Sequence, residues 1–195
     1  MLELNGKGRI DRKEVLRYLG YLGAGDITDI ESELKNCEKL IIPALKPKAC
    51  LEEFAISHGD MLDLCFAKTE SKALATNLKG CSKIVLFAAT VGAEVDRLIV
   101  KYSRISPARA LILQALGSAA IECWCDDING IITQKYGATK PRFSCGYGDL
   151  SLELQRDIFA ALNVTKRLGI TLSDNLFMTP TKSVTAIVGI KDNTN

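Results

Sequence analysis

Arg142-Phe143-Ser144-Cys145-Gly146-Tyr147-Gly148-Asp149 is the stretch of this chain whose residue types and spacing best suit chemistry. An arginine offers a planar fork that grips a carboxylate through two parallel hydrogen bonds. Gly146 lets a ligand approach the backbone closely. Tyr147 supplies a flat face and a hydroxyl. Together these suit a zwitterionic, ring-bearing metabolite. The same residues also describe a glycine-rich turn beside a surface arginine, and their types alone leave both readings open.

Two further clusters carry polar or reactive groups. Glu122 lies inside the apolar stretch Gly117–Trp124. A carboxylate there needs a partner, either a lysine or arginine of the fold or the positive group of a ligand. Cys123-Trp124-Cys125-Asp126-Asp127 places two thiols two residues apart. Residues i and i+2 of a helix do not face each other, and no second cysteine pair or histidine set completes a ligand shell. Core packing is the better reading, and no metal site is expected. The single histidine, His58, stands in Ser57-His58-Gly59-Asp60, which reads as a turn or surface position rather than a triad member. No catalytic acid, base or nucleophile stands out.

The elements that must position these residues follow from periodicity. Residues 10–21 have helical spacing and end at Gly20, Gly23 and Gly25, read as a helix stop and turn rather than a phosphate loop. Thr28 and Glu31 form a capping box that opens a helix toward Leu40. Strands are expected over 49–56 and 61–67, then a helix from Thr69 to Leu78. Ile84–Ala89 is a continuous apolar run, as in a buried strand. A helix follows over 93–102. Ser106-Pro107 starts a long core helix running to Tyr136, and residues 142–147 then continue as extended chain. Helices are expected over 151–162 and 164–168. Residues 175–178 and 183–190 read as a hairpin around Pro180-Thr181. The mixture favours an α+β class over a doubly wound sheet.

Composition narrows the function. Charged residues make up 25% of the 195, and the net charge of +2 leaves no footprint for nucleic acid or an anionic membrane. No apolar run reaches the roughly 18 residues that span a bilayer, and the first residues lack a signal-peptide apolar region. Seven scattered cysteines argue against a disulfide framework. The expected location is the cytoplasm.

The ordered set of motifs resembles the activation (reactivation) domain of cobalamin-dependent methionine synthase, in a stand-alone version. Arg-x-x-x-Gly-Tyr at 142–147 is similar to that family's S-adenosylmethionine-binding motif. Gly117–Glu122 resembles the family helix whose glutamate faces the cofactor, and Leu86–Gly92 resembles the family's separately encoded versions. Gly169–Asn175 and Met178–Val184 resemble its later segments, the second a Met-x-Pro-x-x-Ser-Val hairpin. The colinear similarity spans residues 80–190.

The resemblance implies a C-shaped single α+β domain, its bent antiparallel sheet flanked by helices. Residues 1–80 would form a helical and strand part of that domain, and 81–195 the core with the S-adenosylmethionine segment. Arg142 would bind the methionine carboxylate, and backbone around Ser144, Cys145 and Gly146 would contact the ligand. Tyr147 would sit where a cobalamin face approaches, and Glu122 near the ligand's positive end. The implied function is reactivation of the synthase by reductive methylation of cob(II)alamin. A flavodoxin-like donor would supply the electron and S-adenosylmethionine the methyl group, with cobalt as nucleophile and no protein base. The chain would thus be a methyltransferase component. It lacks the Asp-x-His-x-x-Gly motif by which the corrinoid modules of that system bind cobalt, so a partner would bring the cobalamin. Two alternatives stand beside this one: an S-adenosylmethionine-binding activator of another corrinoid methyltransferase, and a non-catalytic binding module with a vestigial site.

Overall fold

A computed structural model describes residues 1–21 and 28–192 of the chain. Its elements, in chain order, begin with β1 (Leu2–Asn5), α1 (Arg12–Tyr18), α2 (Thr28–Ile41) and a single 3-10 turn (Ile42–Ala44). Next come β2 (Lys48–Ala55), β3 (Ser57–His58), β4 (Leu62–Asp63), β5 (Lys68–Thr69), α3 (Lys72–Asn77) and β6 (Cys81–Thr90). The second half holds α4 (Ala93–Ile105), α5 (Pro107–Tyr136), α6 (Leu154–Leu162), α7 (Val164–Leu168), β7 (Thr171–Leu172), β8 (Met178–Thr179) and β9 (Ser183–Lys191).

The main sheet runs β1-β2-β6-β9, every neighbour antiparallel. From Ile84 to Thr90, β6 is buried on both faces, which explains its unbroken apolar run. Its side chains alternate between two cores, as a strand's period of two requires. Val85, Phe87 and Ala89 pack with Leu113, Leu116 and Trp124 of α5. Ile84, Leu86 and Ala88 pack instead with Leu154, Ile158 and Leu162 of α6. Helices therefore cover the sheet on both faces. The fold is a mixed α+β single domain with antiparallel sheets flanked by helices, and residues before and after position 80 share its main sheet.

The 30 residues of α5 span about 45 Å. Pro107 occupies its first turn, the Ser106 hydroxyl accepts from the Arg109 N–H at 3.5 Å, and Gly137 at φ +86° ends it. Because α1, α2, α4 and the sheet surround it, apolar residues face nearly every direction. Trp124 donates from Nε1 to the Lys48 carbonyl at 3.0 Å, pinning α5 to β2.

Several expectations need correction. Residues 175–178 and 183–190 do not form a hairpin. Met178–Thr179 pairs with Thr171–Leu172, while Ser183–Lys191 pairs along its whole length with β6. The reason is burial: from Thr185 to Ile190 the strand is enclosed on both faces, which only a place inside the domain supplies. Of the continuous strand expected over 61–67 only β4 forms; a turn where Cys65 has φ +73° follows, and β5 pairs back onto β4 just beyond it. The helix expected from Thr69 starts at Lys72, because Thr69 pairs with Leu62 and Ser71 caps the helix by accepting from the Leu74 N–H at 3.1 Å. The one expected from Ser151 starts at Leu154. β1, an exposed edge strand, is an addition. Helix α2 does open at Thr28, but the capping side chain, Gly23 and Gly25 lie outside the described residues.

Cys37, Cys50, Cys81, Cys123 and Cys125 are buried core thiols, and all seven cysteines are free. Burial pushes the Cys125 pKa up to about 12. Among the described residues no cluster of three or more His, Cys, Asp or Glu is placed to hold a metal, and no helix is long and apolar enough to cross a membrane.

Candidate functional site

After α5 ends, the chain turns back and runs antiparallel along the free edge of β9. Lys140 donates to the Gly189 carbonyl at 2.8 Å, and Phe143 and Ile187 exchange both backbone bonds at 2.9 and 2.8 Å. At Ser144 the backbone pairing stops. The Ser144 hydroxyl donates to the Thr185 carbonyl at 2.8 Å, and the chain folds into a tight turn. Gly146 and Gly148 take positive φ there, +88° and +57°, a region side chains disfavour. A Cβ on Gly148 would also lie 2.8 Å from that of Ala73.

Asp149 clamps the far end of this turn. Its carboxylate accepts from the Ser71 hydroxyl at 2.5 Å and from the N–H groups of Lys72 and Ala73 at 2.9 and 3.1 Å. These donors hold its carboxyl below the usual aspartate range. The turn is thereby tied to the start of α3.

Arg142 clamps the near end. Its Nη2 donates to Glu122 at 2.5 Å and its Nη1 to Asp126 at 2.6 Å. The two carboxylates stand one helical turn apart on α5, so one guanidinium spans both. Burial alone would lower the arginine's pKa, but the bonds it donates to Asp126 and Glu122, with the nearby negative charge, outweigh it and the pKa rises. One further turn up, Ser118 accepts from Lys182 Nζ at 3.0 Å. Lys182 is half-buried, and desolvation lowers its pKa.

Between α5, the edge segment, β9 and α6 opens a cleft of about 330 Å³, at the lower end of the range for small-molecule sites. Glu122, Arg142, Ser144, Cys145 and Tyr147 all line it. Gly146 is in the turn behind, donating its N–H to the Leu150 carbonyl at 2.9 Å, and does not line the cleft. Tyr147 is 69% exposed at the rim, and Phe177, next to the lining residue Met178, is 73% exposed. Burial pushes the Cys145 thiol up to about 11, so it stays protonated and weakly nucleophilic near neutral pH. His58 is remote from this cleft, with Nε2 donating to the Cys81 carbonyl at 3.1 Å.

Sequence reasoning missed Gln155, Met178, Ser183 and Thr185, all of which line the cleft, and Asp126 behind it. Gln155 carried a usable signal. It stands three and seven residues before Ile158 and Leu162 on the buried face of α6, a polar group at an apolar position. Asp126 lies four residues after Glu122, the spacing at which one arginine meets both.

No family model matches the sequence, and no curated protein matches it. Among solved structures, the chain is similar to the MetH reactivation domain bound to AdoHcy, with a TM-score of 0.72 over all of this chain and 79% of that one. The fold is that of the MetH reactivation domain. At 16% identity the two sequences have diverged widely, so the likeness carries the fold alone. The Arg142–Tyr147 turn and Glu122 therefore form a candidate site on a reactivation-domain scaffold.

Proposed function

We propose that this chain binds S-adenosylmethionine in the cleft between α5 and α6 and reactivates a cobalamin-dependent methionine synthase by reductive methylation of cob(II)alamin. One observation carries the reading. The Arg-x-x-x-Gly-Tyr segment and Glu122, distant in sequence, line one cleft. The scaffold resembles a domain whose structure was solved with AdoHcy, the compound S-adenosylmethionine becomes on losing its methyl group.

The residues fit such a ligand. Glu122, Asp126 and Arg142 provide both signs of charge for an amino-acid end. Neutral groups from α6 and β9 line the rest. When bound, S-adenosylmethionine supplies a methyl group on a sulfonium. The chain's own part is positioning. The double clamp on the 142–149 turn holds the ligand's floor, and the protonated Cys145 does not compete for the methyl group. Ser144 is engaged as a donor. Tyr147 offers an exposed ring to an incoming planar partner. Cobalamin is the partner's cargo here: the one histidine of the chain is bonded to Cys81 away from the cleft, so no imidazole is available to hold cobalt. Methionine synthase or a related corrinoid protein, with a flavodoxin-like donor, completes the reaction.

The test has two arms. Calorimetry measures S-adenosylmethionine and S-adenosylhomocysteine on wild type and Arg142→Ala. Labelled-methyl transfer is then measured with methionine synthase in the cob(II)alamin state and reduced flavodoxin. Micromolar binding lost in the variant, and transfer that requires this chain, are expected. Absence of binding to wild type overturns the ligand, and binding without transfer overturns the partner.

A further inference from the structure

We infer that Gln155 is a specificity-determining residue of this cleft, reading a hydrogen-bond acceptor on the neutral nucleoside portion of the ligand. The inference rests on the reading of the cleft as an S-adenosylmethionine site and names which residue recognises which end. Gln155 is only 4% exposed yet lines the cleft from α6. Thr185, 3% exposed on β9, donates its hydroxyl to Gln155 Oε1. That hydroxyl has no other acceptor among the described residues, which turns the carboxamide oxygen toward it and its nitrogen away. A carboxamide nitrogen carries two donors. Among the described residues no acceptor takes either of them. The nitrogen is not enclosed but opens to the cleft that Gln155 lines, so a held amide with free donors at a cleft wall is placed to meet a ligand acceptor.

The end it reads follows from the fold. Val184 packs on the α5 side of the sheet, whereas its neighbour Thr185 meets Gln155 of α6 on the other. The cleft thus straddles the sheet edge. Ionic groups, Glu122 and Arg142, stand on the α5 side, and the α6 side presents the amide, the threonine and the apolar Met178. Charged amino-acid groups are stabilised at the first side, and a neutral nucleoside with ring nitrogens and ribose oxygens at the second. The Ser144 bond to the Thr185 carbonyl joins this amide to the Arg142–Asp149 turn, so the two sides keep a fixed spacing.

The test uses the full chain. S-adenosylhomocysteine affinity is measured by calorimetry for wild type, Gln155→Met and the double variant Gln155→Met/Thr185→Val. The double variant replaces both hydrogen-bonding partners with apolar groups of similar shape and is expected to keep the fold, which circular dichroism checks. Both variants are expected to bind about ten- to a hundredfold more weakly. In parallel, the side-chain amide signals of Gln155 in ¹⁵N-labelled wild type are followed by NMR with millimolar adenosine or methionine. Adenosine and S-adenosylhomocysteine are expected to shift them, and methionine to leave them in place. Folded variants that bind within twofold of wild type overturn the inference, as does a Gln155 signal moved by methionine or unmoved by adenosine. Failure of wild type to bind S-adenosylhomocysteine instead overturns the ligand assignment, a distinct outcome.

Discussion

Arg142→Ala tests the near clamp most directly. The side chain is 26% exposed, Glu122 38% and Asp126 63%, so water screens the Asp126 pair more than the Glu122 pair. Partly exposed pairs contribute about 0.5–1 kcal/mol each. Without the guanidinium, two carboxylates face each other at i and i+4, which costs about 0.2–0.5 kcal/mol more. The expected loss is about 1–2.5 kcal/mol, a drop in Tm of about 2–10 °C for a chain of this size. Urea unfolding followed by Trp124 fluorescence measures it, since the one tryptophan is 5% exposed on the same helix. Adding Glu122→Gln to the alanine variant relieves the repulsion and should restore a few tenths of a kcal/mol. Ligand affinity should fall about ten- to a hundredfold, the effect of losing a charged hydrogen bond. Arg142→Lys keeps the charge but cannot span both carboxylates. It should recover part of the stability and little of the affinity. A stability change under about 0.5 kcal/mol would show that the clamp is idle in solution. A Kd within twofold of wild type in a destabilised variant would mean that Arg142 is structural and another group holds the carboxylate.

Three further perturbations follow from the same geometry. Asp149, whose folded pKa is lowered, contributes fully above its unfolded value near 3.8, and that contribution fades as pH falls through the lowered value. Asp149→Asn should therefore flatten the acid limb of the stability profile and speed limited proteolysis within 144–149 at neutral pH; an unchanged profile refutes the clamp. Cys145 should react slowly with iodoacetamide at pH 8 and faster toward pH 11, after the exposed Cys65, with S-adenosylhomocysteine protecting it; peptide mapping reads the order. Gly6→Ala drives a Cβ to within 2.4 Å of the Trp124 ring. It should cost about 1–3 kcal/mol and shift tryptophan emission, and a neutral result would place residue 6 away from the ring.

Local chemistry explains which parts of this molecule could be read from its sequence. α5 announces itself because Ser106, Pro107 and Gly137 each act on their own backbone, and β6 because its burial on two faces demands an unbroken apolar run. The pairing of Ser183–Lys191 leaves no such local trace. Leu86 faces Ile187 across the sheet, and nothing beside position 187 names its partner, whereas Pro180-Thr181 supplies a turn signal that invites the nearer strand. Residues 2–5 carry only a faint trace: Leu2 and Leu4 alternate with Glu3 and Asn5, but Leu4 alone is half-buried against the core, and four residues are too short a run to announce a strand. The cleft divides along the same line. Arg142, Ser144, Cys145 and Tyr147 sit in one short segment and could be found by residue type. Gln155 and Thr185 come from a helix and a strand whose meeting is settled only by packing on the second core. Glu122 falls between the two cases: its place in an apolar helix demanded a partner, and Arg142 twenty residues later is that partner. This ion pair constrains the mechanism too. A guanidinium already shared by two carboxylates belongs to a group of net charge about −1 rather than standing as a bare cation, so a ligand ammonium is attracted beside it. It therefore suits a ligand end that carries both an ammonium and a carboxylate better than a simple anion.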